Sequence, residues 1–168
     1  MDKDRLDRLV LDSLYYRRAT NGDSCFVSNV AGLELFKCDS SALEHIERVL
    51  QEVVVPRPAS HIRDEFLGLD YVLGAYAIIG SRYDPSRVVA FVRTMPAALV
   101  AEFVAVLPIF FRQRDDKYDF DVAPAPELVA FAEECGNSND EPLRTAARRA
   151  ISFLTSKGRG SPEVLRVV

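Results

Sequence analysis

The two histidines of the chain each sit among acids, His45 in EHIE and His61 in HIRDE. Imidazole beside carboxylate is the raw material of metal sites and of general acid–base catalysis. A di-iron carboxylate centre would want a Glu three residues before each His, but Ala42 and Pro58 occupy those positions. His61 with Glu65 at i+4 makes half of a metal site and is the basis of the competing expectation, a metal-dependent enzyme or metalloprotein. No HExxH or CxxC completes it, and surface ion pairs near a helix start account for both histidines more simply. Gly22-Asp23-Ser24 resembles a nucleophile motif only superficially. A serine nucleophile needs a partnered histidine and a strand-to-helix elbow, and here a helix precedes it. Neither GxGxxG nor GxxxxGK[ST] occurs, so the usual phosphate cradles are missing. Cys25, Cys38 and Cys135 are widely spaced, a pattern that fits buried, reduced thiols in a cytoplasmic protein. The expectation is a protein with no catalytic residue, no metal and no cofactor.

What remains for function is surface chemistry. Residues 112–126, RQRDDKYDFDVAPAP, form the longest polar stretch and read as an exposed acidic loop. Within it Asp115, Asp116, Asp119 and Asp121 surround Tyr118 and Phe120. Rings flanked by acids suit a basic partner protein, the rings supplying buried area and the acids steering association. The alternative is that Tyr118 and Phe120 pin the loop to the core. Net charge is −4, but Leu143 to Val168 holds six Lys/Arg against one acid, leaving the rest at −9. A mainly acidic body disfavours nucleic acid. The basic C-terminal region keeps nucleic-acid binding as a further alternative, although cations near helix C-termini also complement the helix dipole. Trp is missing, and the cations lack the interleaved aromatics that stack bases. Arginine outnumbers lysine 17 to 4, consistent with a GC-rich bacterial genome.

The elements that must position these groups are helical almost throughout. At 168 residues and 48% hydrophobic composition, the chain suits a single all-helical domain over 1–168 with a real core. The charged N-terminus predicts no export signal. Met95 to Phe111 is the most apolar run, but Glu102 and Pro108 interrupt its 17 residues, so a buried helix is expected and no membrane span. Leu6, Leu9, Val10, Leu14 and Tyr15 mark a first amphipathic helix ending near Asn21-Gly22. Cys25 to Lys37 reads as a short helix, with a small hairpin as the alternative. Asp39 caps a helix striped by Leu43, Ile46, Val49 and Leu50 and ended by Pro56 and Pro58. Ser60 begins a longer one through Ile79, apolar on a surface so wide that it must be buried on more than one side. Asp84-Pro85 caps the next. Ala97 to Leu107 follows, with Pro108 expected to kink or end it. Two helices, about 126–135 and 140–156, finish the body, and 158–168 is a tail segment.

One stretch carries a family likeness. ELVAFAEEC, the turn GNSN and then DEPLRTAARRAISFL resemble the helix pair of a HEAT-type repeat, over residues 124–157. Leu143, Ala147, Ala150, Ile151 and Leu154 form the seam, where small alanines let the paired helix come close. Asp84-Pro85 with Val88 and Val92 looks like a degenerate second copy. The resemblance implies an all-α fold, either a short irregular HEAT-like α-solenoid or a right-handed stack of antiparallel helix pairs, with a compact irregular helical bundle as the alternative. It also implies that Asp140 and Arg144 join a polar ladder between neighbouring repeats, with Arg148 one turn further on. Arg149 lies off the seam and is left as a candidate partner contact. Such scaffolds work by protein–protein contact, and one specific version is an inhibitory partner such as a bacterial immunity protein neutralising a basic toxin.

Overall fold

The computed structural model describes residues 3–16, 29–111 and 122–156, and these are all-helical, with no strand among them. Helix α1 (Lys3–Leu14) buries Leu6, Val10 and Leu14, one stripe at four-residue spacing. A short α2 (Val30–Leu35) follows, so the described part of the ambiguous segment is helical. Its N-cap explains both its start and its position. Asn29 Oδ1 accepts the Gly32 N–H at 2.8 Å, while Asn29 Nδ2 donates to the Ser13 carbonyl at 2.9 Å. One buried amide thus caps α2 and ties it to the end of α1.

Helix α3 (Ser41–Val49) buries the expected stripe, and its last turn widens into a π-helical segment, Leu50–Val54, ahead of Pro56. Ser40, not the expected Asp39, is the N-cap of α3; Asp39, one residue earlier, turns the chain into the helix, its Oδ1 accepting from the Ser41 N–H at 2.9 Å and from the Ser41 hydroxyl.

The single long helix expected from Ser60 to Ile79 is two helices. A 3₁₀ turn (Ala59–His61) leads into α4 (Ile62–Glu65), the chain breaks at Phe66–Gly68, and α5 (Leu69–Tyr83) begins anew. The cause is non-local. The Gly68 N–H donates to the Leu14 carbonyl at 3.1 Å, and a Cβ at Gly68 would lie 1.7 Å from the Ser13 carbonyl oxygen. Only glycine lets the two backbones approach this closely. Beyond the break, Val72 to Gly80 are all buried, as a helix packed against α1, α2, α3, α6 (Pro85–Val92) and α7 (Ala97–Phe110) must be. Gly74 opens α5 to Phe110, whose ring would be 2.3 Å from an added Cβ. Phe36 and Tyr71 complete that cluster, with centroids 5.0 and 5.7 Å from Phe110.

Asp84 Oδ1 accepts the Arg87 N–H at 3.0 Å and Pro85 takes the first helical position, as the sequence predicts. Pro108 does not end α7, which runs on to Phe110. Proline deprives only one carbonyl of its donor this close to the C-terminus, and the Phe111 N–H still closes the last turn on the Leu107 carbonyl at 3.0 Å. Helices α8 (Pro126–Cys135) and α9 (Glu141–Ser156) pack on each other, α8 also on α6, and α9 on α7. Leu143, Ala147 and Ala150 are buried in that seam and Ile151 and Leu154 half-buried. Ion pairs bridge helices that are not successive in the chain: Arg87 of α6 holds Glu47 of α3 in a fork at 2.7 and 2.6 Å, and Arg93, just past α6, reaches Glu134 of α8 at 2.5 Å.

Candidate functional site

The chemistry-bearing residues do not converge. His61 is exposed, and Glu65 accepts an ion pair from Arg57 Nε at 3.2 Å, so that carboxylate already has a cation. His45 was expected on the surface but is only 5% exposed. Its Nδ1 lies 2.6 Å from Asp7 Oδ1 on α1, and Arg48 pairs with the same oxygen. Because an ionised carboxylate only accepts, Nδ1 carries the proton. Burial by itself would raise the Asp7 pKa, but the His45 and Arg48 hydrogen bonds and the Arg48 charge outweigh it and hold the carboxyl below its ordinary value. This triad locks α1 to α3. Local sequence gives no sign of it, because the partner of His45 is 38 residues away. Among the described residues no three His, Cys, Asp or Glu come together as a metal site.

Cys38 and Cys135 are buried free thiols. Burial pushes the Cys38 thiol up, and that of Cys135 to about 11, the reverse of an activated nucleophile. Cys25, Gly22-Asp23-Ser24, and the acidic-loop residues Asp115, Asp116, Tyr118, Asp119, Phe120 and Asp121 lie outside the described residues. At the other end of the loop, Ala125 is buried and its N–H donates to Ser81 Oγ at 3.2 Å.

On α9 the arginines separate. Asp140 Oδ1 caps the Leu143 N–H at 2.9 Å, and Arg144 Nη1 donates to the Ser138 carbonyl at 2.9 Å, so both serve the α8–α9 turn. Arg148 and Arg149 are exposed, with no ion-pair partner among the described residues, and flank a shallow depression shared with Ser152 and Phe153.

A groove that the sequence did not announce lies where α4, α5 and α7 meet. The break before α5 throws Leu67 outward, 53% exposed, while Phe66 turns into the core with Tyr15 edge-on at 5.5 Å. Leu67, Leu69, Leu73 and Val106 line a cleft of about 220 Å³, rimmed by Asp70, Glu102 and Arg63. Arg63 Nε is held by Glu102 Oε1 at 2.6 Å. Asp70, in the first turn of α5, accepts only local backbone N–H groups, that of Tyr71 at 2.9 Å and its own, and no cation pairs with it among the described residues. Asp70 is exposed, yet desolvation beside the apolar walls raises its pKa, with the Glu102 charge adding to the effect. The Ser60–Ile79 helix expected from the sequence hid this groove, because an unbroken helix leaves neither Leu67 nor Asp70 where it is.

A wider cleft of about 480 Å³ between α1 and the α2–α3 turn is lined by three cations, Arg5, Arg8 and Lys37, and three acids, Asp12, Glu34 and Asp39. Its charges balance, so it favours neither sign of ligand. Set against known proteins, the chain matches no family model, no curated protein and no solved structure.

Proposed function

We propose that this chain is a non-catalytic binding protein, a short HEAT-like stack of helix pairs that acts by holding another protein. The observation that carries it is the α4–α5–α7 groove. Outward Leu67, apolar walls and a carboxylate without a counter-ion give it the character of a protein-binding anchor pocket. At about 220 Å³ it is smaller than the roughly 300–1,000 Å³ usual for small-molecule sites. The helix packing supports the scaffold: α5 on α7 and α7 on α9 make one row, α6 on α8 the other, with α3 joined to that second row through Glu47–Arg87. The partner is basic, which the −9 balance of residues 1–142 favours. An immunity protein neutralising a basic toxin in a bacterial cytoplasm is the specific form we propose. Its support is size, acidity and the reduced, buried Cys38 and Cys135. No helix of the described residues is long and apolar enough to cross a membrane.

The test is capture from the source cell's lysate on immobilised full-length chain, comparing wild type with Leu67→Ala in the groove and with Tyr118→Ala/Phe120→Ala. A stoichiometric protein partner is expected, with capture reduced severalfold by the variants. Retention of no protein refutes the binding role, and stoichiometric bound metal released by His61→Ala replaces it with the metalloprotein alternative.

A further inference from the structure

The groove's dimensions and charge specify what enters it. A cleft of about 220 Å³ has room for one long side chain rather than a cofactor. Its walls are aliphatic and aromatic, and its rim carries two carboxylates against one guanidinium that Glu102 already holds at 2.6 Å. An acidic side chain entering here would meet uncompensated negative charge. A neutral apolar one would fill the walls but strip water from Asp70 without replacing it, the costly way to bury a charge. Lysine and arginine satisfy both demands, because each buries a methylene stem along apolar surface while its charged head reaches a polar rim.

We infer that this groove is the receptor for a Lys or Arg side chain on an apolar segment of the partner protein, with Asp70 as its counter-charge and Leu67 closing over its stem. The assignment rests on the binding role proposed above, and it adds the α4–α5–α7 face to the acidic loop as a contact for the partner. Leu67 is the hydrophobic lip: exposed in the free chain, it gains burial when the stem lies against it. Asp70 supplies discrimination by sign, since among the described residues it accepts local backbone N–H groups and no cation.

The experiment uses the full chain and three short peptides, acetyl-Ser-Leu-Lys-Leu-Ser-amide and its norleucine and glutamate counterparts at the third position. Backbone amide NMR locates binding and gives affinity. The lysine peptide is expected to shift the amides of residues 63–73 and 102–106 saturably, at least tenfold more tightly than the norleucine peptide. Asp70→Asn, which keeps the acceptor oxygen and the fold, should erase that preference, and Asp70→Lys should transfer it to the glutamate peptide. Equal binding of the lysine and norleucine peptides, or an Asp70→Asn variant that still prefers lysine, overturns the proposal. So does self-association of the chain in sedimentation that Asp70→Asn dissolves, because the occupant is then a second copy. A chain that captures its partner from lysate but ignores all three peptides keeps its binding role and loses this groove assignment.

Discussion

The Tyr76–Glu47–Arg87 network gives the sharpest test of how α3, α5 and α6 are held. Tyr76 is 0% exposed, and its hydroxyl donates to Glu47 Oε1 at 2.7 Å; burial and this bond together push the phenol pKa far up. Glu47 is 17% and Arg87 39% exposed, so the salt bridge itself is partly screened. Tyr76→Phe removes the donor but leaves Glu47 satisfied by the Arg87 fork, and should cost about 1 kcal/mol. Glu47→Leu strands a buried hydroxyl, for which about 2 kcal/mol is typical, and releases the ion pair, worth at most about 1 kcal/mol, for roughly 3 kcal/mol in total. The double variant has no stranded hydroxyl, and Arg87 turns to water. It should therefore cost only about 1 kcal/mol, less than Glu47→Leu alone. Urea unfolding followed by circular dichroism, with the slope checked for constancy, measures all three. A double variant as unstable as the sum of the singles would show that the hydroxyl is not stranded and refute the reasoning.

Gly68→Ala should destabilise by about 3 kcal/mol or more, because the clash is with the Ser13 backbone and not with a movable side chain. At 2–4 °C per kcal/mol for a chain of this size, Tm should fall by roughly 6–12 °C in a thermal scan, and an unchanged Tm would mean that α1 and α5 separate freely. Asp7→Asn should cost about 1 kcal/mol near neutral pH. The folded-state pKa of Asp7 is lowered, so its contribution is present above the unfolded value of about 3.9 and lost as pH falls through the folded one. The stability difference between variant and wild type should thus persist at pH 5 and close below about pH 4. A difference that grows on acidification would contradict that sign.

Much of the fold is legible in the sequence where causes are local. The Asp84-Pro85 start, the Leu43–Ile46–Val49–Leu50 stripe and the Leu143–Ala147–Ala150 seam depend on residues within a few turns, and each is found as the spacing predicts. Two of the misreadings share one cause, a partner far along the chain. Gly68 and Gly74 signal close contact, as found, but nothing between Ser60 and Ile79 says that Ser13 and Leu14 are what approach Gly68, so the break before α5 is invisible locally. His45 reads as an ordinary surface histidine until Asp7 is brought to it. The expected Asp140–Arg144 ladder went the other way: both residues find nearer partners in their own turn, Leu143 and Ser138, and the long-range pairs fall to Glu47, Arg87, Arg93 and Glu134. Of the predicted contact residues, Arg149 alone is described, and it is exposed as its position off the seam requires.

The groove is a site because two unremarkable features coincide there. A single exposed leucine needs no explanation, since folded surfaces are more than half apolar. A carboxylate with a raised pKa is also common enough at the edge of a core. Each becomes informative through its neighbour. Leu67 faces outward because the α4–α5 break is fixed by the contact with α1, so its exposure is imposed by a close backbone junction rather than by a loose end. Asp70 stands one turn of chain away, and the nearest guanidinium, on Arg63, is spent on Glu102. Folding draws no benefit from leaving the first in water and the second without a cation. Both costs fall together when one side chain with an apolar stem and a positive head enters, and neither an anion nor a plain hydrocarbon relieves more than one of them.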